Sequence, residues 1–156
     1  MFKKILLALD GSEFSERALG PALEMATKFG AEILLLRVIT IEEETPISVG
    51  LSLRQQEMRP DYTRRYRDDA EGYLRGIEAR WLNSGVEVRI QAALGEPAEV
   101  IAATARAEGA DLIVMSTHGR SGLTRLLYGS VAEAVLRGAN MPVLLIPIKE
   151  KVKSKS

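Results

Sequence analysis

The sequence of 156 residues contains no cysteine and a single histidine, His118. The absence of cysteine excludes disulfides, thiolate catalysis and thiolate metal sites within the chain. One histidine likewise excludes a His-rich zinc site and a pair of catalytic histidines. Because a disulfide framework is missing, the cytoplasm is the compartment that we expect for this protein.

An excess of charge is missing as well, because 21 Lys and Arg residues balance 21 Asp and Glu residues. This balance argues against the broad basic surface behind strong nonspecific nucleic-acid binding, so we expect no nucleic-acid partner. No apolar run reaches the ~18–20 residues that span a bilayer, and the run after Lys4 is too short for a signal peptide, so we expect no membrane partner. The length and the 46% hydrophobic content are typical of one globular domain.

Short apolar runs alternate with stretches of helical periodicity, which predicts an α/β domain with a mainly parallel sheet. The predicted strands are 5–9, 33–39, 86–90, 112–116 and 143–146. The predicted helices run from the Asp10-Gly11-Ser12 turn to Phe29, over 61–83, from Glu96 to Gly109, and over 130–137. Right-handed crossovers would place helices on both faces of the sheet.

Local signals refine three of these helices. Pro21 predicts a kink in the first helix. Ser130-Val131-Ala132-Glu133 has the capping-box pattern and predicts the start of the last helix. Apolar and aromatic residues recur at spacings of three and four within 61–83, which predicts a buried stripe and not a base-stacking platform. The stripe consists of Tyr62, Tyr66, Ala70, Tyr73, Ile77 and Trp81. We predict a surface loop over 41–60.

Open parallel sheets bind ligands at the carboxyl ends of their strands, so the residues that follow the strands are the candidates for a site. The strongest candidate is the segment 116–122, continued by Gly129 and Ser130. Gly119 and Gly129 would let backbone amides approach a ligand, and the next helix directs the positive end of its dipole toward the loop. Hydroxyl and guanidinium donors are supplied by Ser116, Thr117, Ser121, Ser130, Arg120 and Arg125.

This segment favours an anion, and a phosphate chain is the ligand that would use all of its donors. It also lies in the longest stretch without an acidic residue, 112–132. A flexible loop before a well-capped helix would show the same glycine spacing, so this second interpretation stays open.

Three further residues follow strands. Asp10 can accept hydrogen bonds from a ribose or an adenine amino group, or it can be a turn and capping residue. Val38 can offer backbone polar groups to a base edge, or it can belong to the core. For His118 we favour a loop-shaping or phosphate-proximal role over catalysis, because no Gly-x-Ser-x-Gly motif accompanies it. Walker and Gly-x-Gly-x-x-Gly loops are absent, which argues against a P-loop ATPase, a kinase and an orthodox dinucleotide-dependent dehydrogenase.

Taken together, the segments 4–12, 110–119, 129–133 and 142–146 resemble the universal stress protein (UspA-like) family over about residues 1–148, which leaves 149–156 as a polar flexible tail. The ATP-binding branch of that family has the motif Gly, two residues, Gly, nine residues, Gly and then Ser or Thr. Gly119, Gly129 and Ser130 match its last three positions. Ser116 replaces the first glycine, and its Cβ fits there if the local φ is negative.

The resemblance implies a Rossmann-like, adenine nucleotide alpha hydrolase-like fold, with a single open five-stranded parallel sheet in the order 3-2-1-4-5. It implies ATP as the ligand, with Mg²⁺ or Mn²⁺ held only through the phosphates, and a homodimer through Val143–Ile146. The ATP-binding residues that it implies are Ala8, Leu9, Asp10, Val38, Met115, Ser116, Thr117, His118, Gly119, Arg120, Gly129, Ser130 and Val131.

Three functions remain open at this point. The first is an ATP-binding, dimeric regulator of the stress response, and the second is a dimeric scaffold of the same family that does not bind nucleotide. The third is an enzyme such as a slow ATP hydrolase. We expect slow hydrolysis at most and assign no catalytic residue, because no general base with a set of metal-binding carboxylates is visible near the loop.

Overall fold

The computed structural model describes residues 1–40, 60–118 and 129–147. They contain one five-stranded sheet in the order β3-β2-β1-β4-β5, and every pairing is parallel. The strands are β1 (Lys4–Leu9), β2 (Glu32–Ile39), β3 (Val88–Leu94), β4 (Leu112–Ser116) and β5 (Val143–Ile146). The α/β class and the strand order 3-2-1-4-5 are therefore confirmed.

The described helices are α1 (Glu13–Glu16), α2 (Leu19–Phe29), α3 (Pro60–Arg80), α4 (Pro97–Glu108) and α5 (Ser130–Gly138). They divide between the two faces of the sheet. Alternate β1 residues such as Leu7 pack with α2 and α3, whereas Leu6 packs with α4 and α5. Because both faces are covered, β1, β2 and β4 are apolar runs without polar alternation. None of these helices is long and apolar enough to cross a membrane.

The first predicted helix is divided in the structure. The helix is interrupted at Arg17 and Ala18, four and three residues before Pro21, so the kink predicted from Pro21 takes the form of a break. Proline has no N–H to donate to the carbonyl of the residue four before it, which is Arg17, and its ring crowds that carbonyl. Pro21 lies in the first turn of α2, where a backbone N–H has no intrahelical acceptor and the proline ring is tolerated. Gly30 ends α2 in the left-handed conformation at φ 64°, as predicted.

The last helix begins at Ser130, as predicted, but its N-terminus differs from the capping-box pattern. Gly129 is the N-cap of α5 and no side chain caps the helix, so the predicted capping box does not form. The carbonyl of Gly129 accepts from the N–H of Glu133, whose side chain forms an ion pair with Arg137 at 2.7 Å. The Glu133 carboxylate is thus engaged one turn along the helix and does not return to the N-terminus.

One strand boundary and the burial of one helix differ from the prediction. Strand β3 was predicted over 86–90 but spans Val88–Leu94, because pairing with β2 extends through Leu94 opposite Ile39. On α3, the predicted stripe is partly buried: Ala70 and Ile77 are core residues, and Tyr73 and Trp81 pack against them. The side chain of Tyr62, residues 41–59 of the predicted loop and the predicted tail 149–156 lie outside the description.

Candidate functional site

A cavity of about 260 Å³ opens at the carboxyl ends of β1 and β4, where the strand order reverses. Every predicted site residue that the structure describes lines it. Two of the predicted residues, Gly119 and Arg120, lie outside the described residues. The lining residues that were predicted are Ala8, Leu9, Asp10, Val38, Met115, Ser116, Thr117, His118, Gly129, Ser130 and Val131.

Five further residues line the cavity and were not predicted from the sequence, namely Ser15, Leu36, Pro97, Ile101 and Ala132. Two of them carry a signal that the sequence contains. Leu36 lies two positions before Val38 and therefore shares its face of β2. Ile101 lies one helical turn after Pro97 in α4. That α4 packs over the cavity is a property of the tertiary structure, and no motif in 97–108 indicates it.

One wall of the cavity is apolar. Ala8, Leu36 and Val38 project from neighbouring strands, Met115 from β4 and Ile101 from α4, and all five are buried members of one core cluster. This wall offers a dry surface without unpaired polar side chains, which suits a flat aromatic ring.

Asp10 closes the carboxyl end of β1 and organises the turn that follows. Its Oδ1 accepts from the backbone N–H of Ser12 at 2.9 Å and from the Ser12 hydroxyl at 2.5 Å. The Ser12 Oγ in turn accepts from the N–H of Ser15 and caps α1. Asp10 is therefore a turn residue, which was one of its two interpretations. It also lines the cavity, which is the position that the other interpretation, a ligand contact, requires.

Ser116, which stands where the family motif has its first glycine, is the buried last residue of β4. Its hydroxyl donates to the carbonyl of His118 at 2.9 Å. In the described part of the chain, no residue other than glycine has a positive φ, so the backbone at Ser116 accepts a Cβ without strain. The Thr117 hydroxyl and the Nδ1 of His118 are hydrogen-bonded at 2.9 Å, and both side chains are buried.

Gly129 joins the β4 end to α5. Its N–H donates to the carbonyl oxygen of Thr117 at 2.6 Å. A Cβ at Gly129 would lie 2.8 Å from that oxygen, too close for any other residue to fit without a shift of the backbone. The first amides of α5, at Ser130 and Val131, have no intrahelical acceptor and belong to residues that line the cavity. This end of the cavity can therefore bind an anion.

The described lining of the cavity has few groups that could bind a metal ion. Asp10 is the one carboxylate among the described lining residues. Within 1–40, 60–118 and 129–147, no group of three or more His, Asp or Glu side chains could hold a metal ion. A divalent cation bound among these residues would therefore take at most one carboxylate ligand from the described lining.

Comparisons with known proteins agree on one family. The sequence profile described as "Universal stress protein family" matches residues 1–147. The chain is 34% identical over 152 residues to universal stress protein MJ0531 of Methanocaldococcus jannaschii, and the alignment covers 97% of this chain and 85% of the relative.

Two solved structures have the same fold. MJ0577 from the same archaeon gives a TM-score of 0.77 at 30% identity, covering 96% of this chain and 99% of that one. A universal stress protein in complex with cAMP gives a TM-score of 0.66 at 21% identity, covering 95% and 98%.

Proposed function

This chain belongs to the universal stress protein family, and we propose that it binds ATP and acts as a dimeric regulator or interaction module of the stress response. The observation that carries the proposal is the cavity between β1, β4 and the N-terminus of α5, with an apolar wall at one end and backbone donors at the other. An adenine nucleotide has the same division between an aromatic ring and an anionic chain. We take 1–148 as the domain that performs this function and 149–156 as its tail.

The adenine ring is proposed to lie against Ala8, Val38 and Met115, with the backbone of Val38 at its edge. The Asp10 carboxylate would accept from a ribose hydroxyl, since an ionised acceptor at a strand end suits that role. A structure of this fold in complex with cAMP supports an adenine nucleotide as the ligand class.

The phosphates are proposed to lie at the N-terminus of α5. The amides of Ser130 and Val131, the Ser130 hydroxyl and the buried Thr117–His118 pair are the donors nearest this end. Gly119 and Arg120 join the proposal on the sequence motif. Mg²⁺ or Mn²⁺ would be held through the phosphates. Among the lining residues that the structure describes, none offers a base with a metal set, so slow hydrolysis is the most that we assign.

Isothermal titration of the full chain with ATP and Mg²⁺ tests this function. We expect saturable binding with one site per chain, and Ser116→Gly, which restores the family motif, should bind within about threefold of the wild type. The reason is that the Ser116 hydroxyl is hydrogen-bonded to His118 and its Cβ causes no backbone strain. GTP should bind more weakly, because guanine presents different hydrogen-bond donors and acceptors to the Val38 backbone that is proposed to meet the adenine edge. Absence of binding at millimolar ATP would contradict the proposal and favour the nucleotide-free scaffold.

We also propose a homodimer through β5. This strand is an edge of the sheet, and its side chains are partly exposed. The carbonyl of Pro142 accepts from the N–H of Ile113 in β4, and that of Ile146 accepts from the N–H of Thr117 just after β4, both at 3.0 Å. Successive residues of a strand point their N–H and C=O groups to opposite sides. The backbone polar groups of Val143 and Leu145 therefore point away from β4 and can pair with a second copy.

Leu145→Pro should convert the dimer to a monomer, because proline removes one outward N–H and blocks the edge. Leu145→Ala is the matched control, since it truncates the same side chain and keeps that N–H. Sedimentation velocity gives the mass of each variant. A wild-type monomer, or a dimer that survives Leu145→Pro, would show that the β5 edge is not the interface.

A further inference from the structure

Arg37 is a positively charged residue in the middle of an apolar strand. Its neighbours Leu36 and Val38 line the nucleotide cavity, so the Arg37 side chain projects from the opposite face of β2. There its guanidinium carbon lies 5.0 Å from the centroid of the Tyr73 ring on α3. This is the distance of a cation–π contact, and Arg37 is half-buried.

The guanidinium of Arg37 also lies close to the Asp10–Gly11 turn. A Cβ built on Gly11 would lie 3.1 Å from Cζ and from Nη2 of Arg37, and 3.3 Å from Nη1. Three nearly equal distances mean that the plane of the guanidinium lies broadside against Gly11. Gly11 also has φ 85°, so two separate constraints favour glycine. The guanidinium therefore lies close both to the Tyr73 ring and to the turn that carries Asp10.

Tyr73 is itself fixed in place. Its hydroxyl donates to Oε1 of Glu16, the last residue of α1, at 2.7 Å. Burial, together with the hydrogen bond and the charge of Glu16, raises the pKa of Tyr73 above its usual value, so the phenol stays a protonated donor at neutral pH. Arg37, Tyr73 and Glu16 therefore connect β2, α3 and α1 around the base of the turn.

We propose that Arg37 is a positioning residue of the nucleotide site. Its guanidinium supports the Asp10–Gly11 turn from the face opposite to the cavity and so holds the Asp10 carboxylate toward the ligand. This inference rests on the proposed ATP binding. A planar guanidinium suits this place, because its flat face lies against Gly11 while its carbon stays within cation–π distance of Tyr73, whereas a lysine ammonium is a point charge.

The test is a double-mutant cycle on ATP affinity, with the wild-type titration as its first arm. Arg37→Met, which keeps the length of the side chain, should weaken ATP binding about tenfold, and Arg37→Lys should be intermediate. In an Asp10→Asn background, Arg37→Met should cost less than about twofold, because the group that it positions has lost its charge. Tyr73→Phe keeps the ring that Arg37 contacts and removes only the hydrogen bond to Glu16, so it should lose less affinity than Arg37→Met.

Arg89→Met is the matched control. Arg89 lies on the neighbouring strand β3 and forms an exposed ion pair with Glu108 at 3.2 Å, so its replacement should leave ATP affinity unchanged. Thermal unfolding of each variant verifies that it is folded. Failure of the wild type to bind ATP would overturn the proposed function. ATP binding that is unchanged in Arg37→Met, or losses that simply add in the Asp10→Asn background, would overturn only the role of Arg37.

Discussion

Gly129→Ala is expected to weaken ATP binding by at least tenfold and to lower the melting temperature. The new Cβ would meet the Thr117 carbonyl oxygen at 2.8 Å, and that oxygen also accepts the 2.6 Å hydrogen bond from the Gly129 amide. The backbone segments at Thr117 and at residue 129 must move apart to relieve the contact, and overpacking of this kind costs about 1–3 kcal/mol of stability. Separation moves the first amides of α5 away from the phosphate position, so binding and stability fall together.

The backbone of Gly129 isolates the cause. Its φ of −66° and ψ of 160° are open to any residue, so alanine introduces no dihedral strain and acts only through its Cβ. Gly138→Ala, at the other end of α5, is the matched control, because a Cβ there meets nothing within 4 Å. Gly129→Val should bind no measurable ATP. Wild-type affinity in Gly129→Ala would mean that the Thr117 contact does not set the position of the phosphates.

The sheet could be predicted because its central strands have a simple composition. Short apolar runs such as 5–9 and 112–116 are typical of strands that are covered on both faces, and the helices between them favour parallel connections. The strand order came from the family resemblance and could not be obtained from hydrophobic periodicity. Element ends were less predictable: β3 was extended by pairing with β2, through residues as weakly strand-forming as Ala92 and Ala93.

The predicted site residues converge for a different reason. Ala8, Val38 and Met115 are near strand ends, and parallel strands bring their carboxyl ends to one edge of the sheet. The helix begins at Ser130, but the capping box does not form there. Gly129, whose N–H donates a tertiary hydrogen bond to Thr117, is the N-cap instead. Arg37 could not be found from the sequence either, since its partners Gly11 and Tyr73 are distant in the chain and follow no motif.

Asp10 is the other residue whose replacement should have a large effect. Asp10→Asn is expected to weaken ATP binding about 10- to 100-fold, because a hydrogen bond to a charged group contributes about 1.5–3 kcal/mol. The amide oxygen of asparagine can still accept from the Ser12 N–H and hydroxyl, which the Asp10 Oδ1 contacts at 2.9 and 2.5 Å. The turn should therefore persist, and the melting temperature should change little.

Asp111→Asn is the matched control for this substitution. Asp111 directly precedes β4, at the amino ends of the strands and away from the cavity. There its carboxylate accepts from the backbone N–H groups of Lys3 at 2.9 Å and Lys4 at 3.3 Å. The same chemical change there should lower the melting temperature and leave ATP affinity intact. Titration calorimetry and thermal unfolding of both variants separate the two roles of a strand-end aspartate. If Asp10→Asn keeps the wild-type affinity, Asp10 is a turn residue alone, and the ribose must be bound by other groups of the cavity.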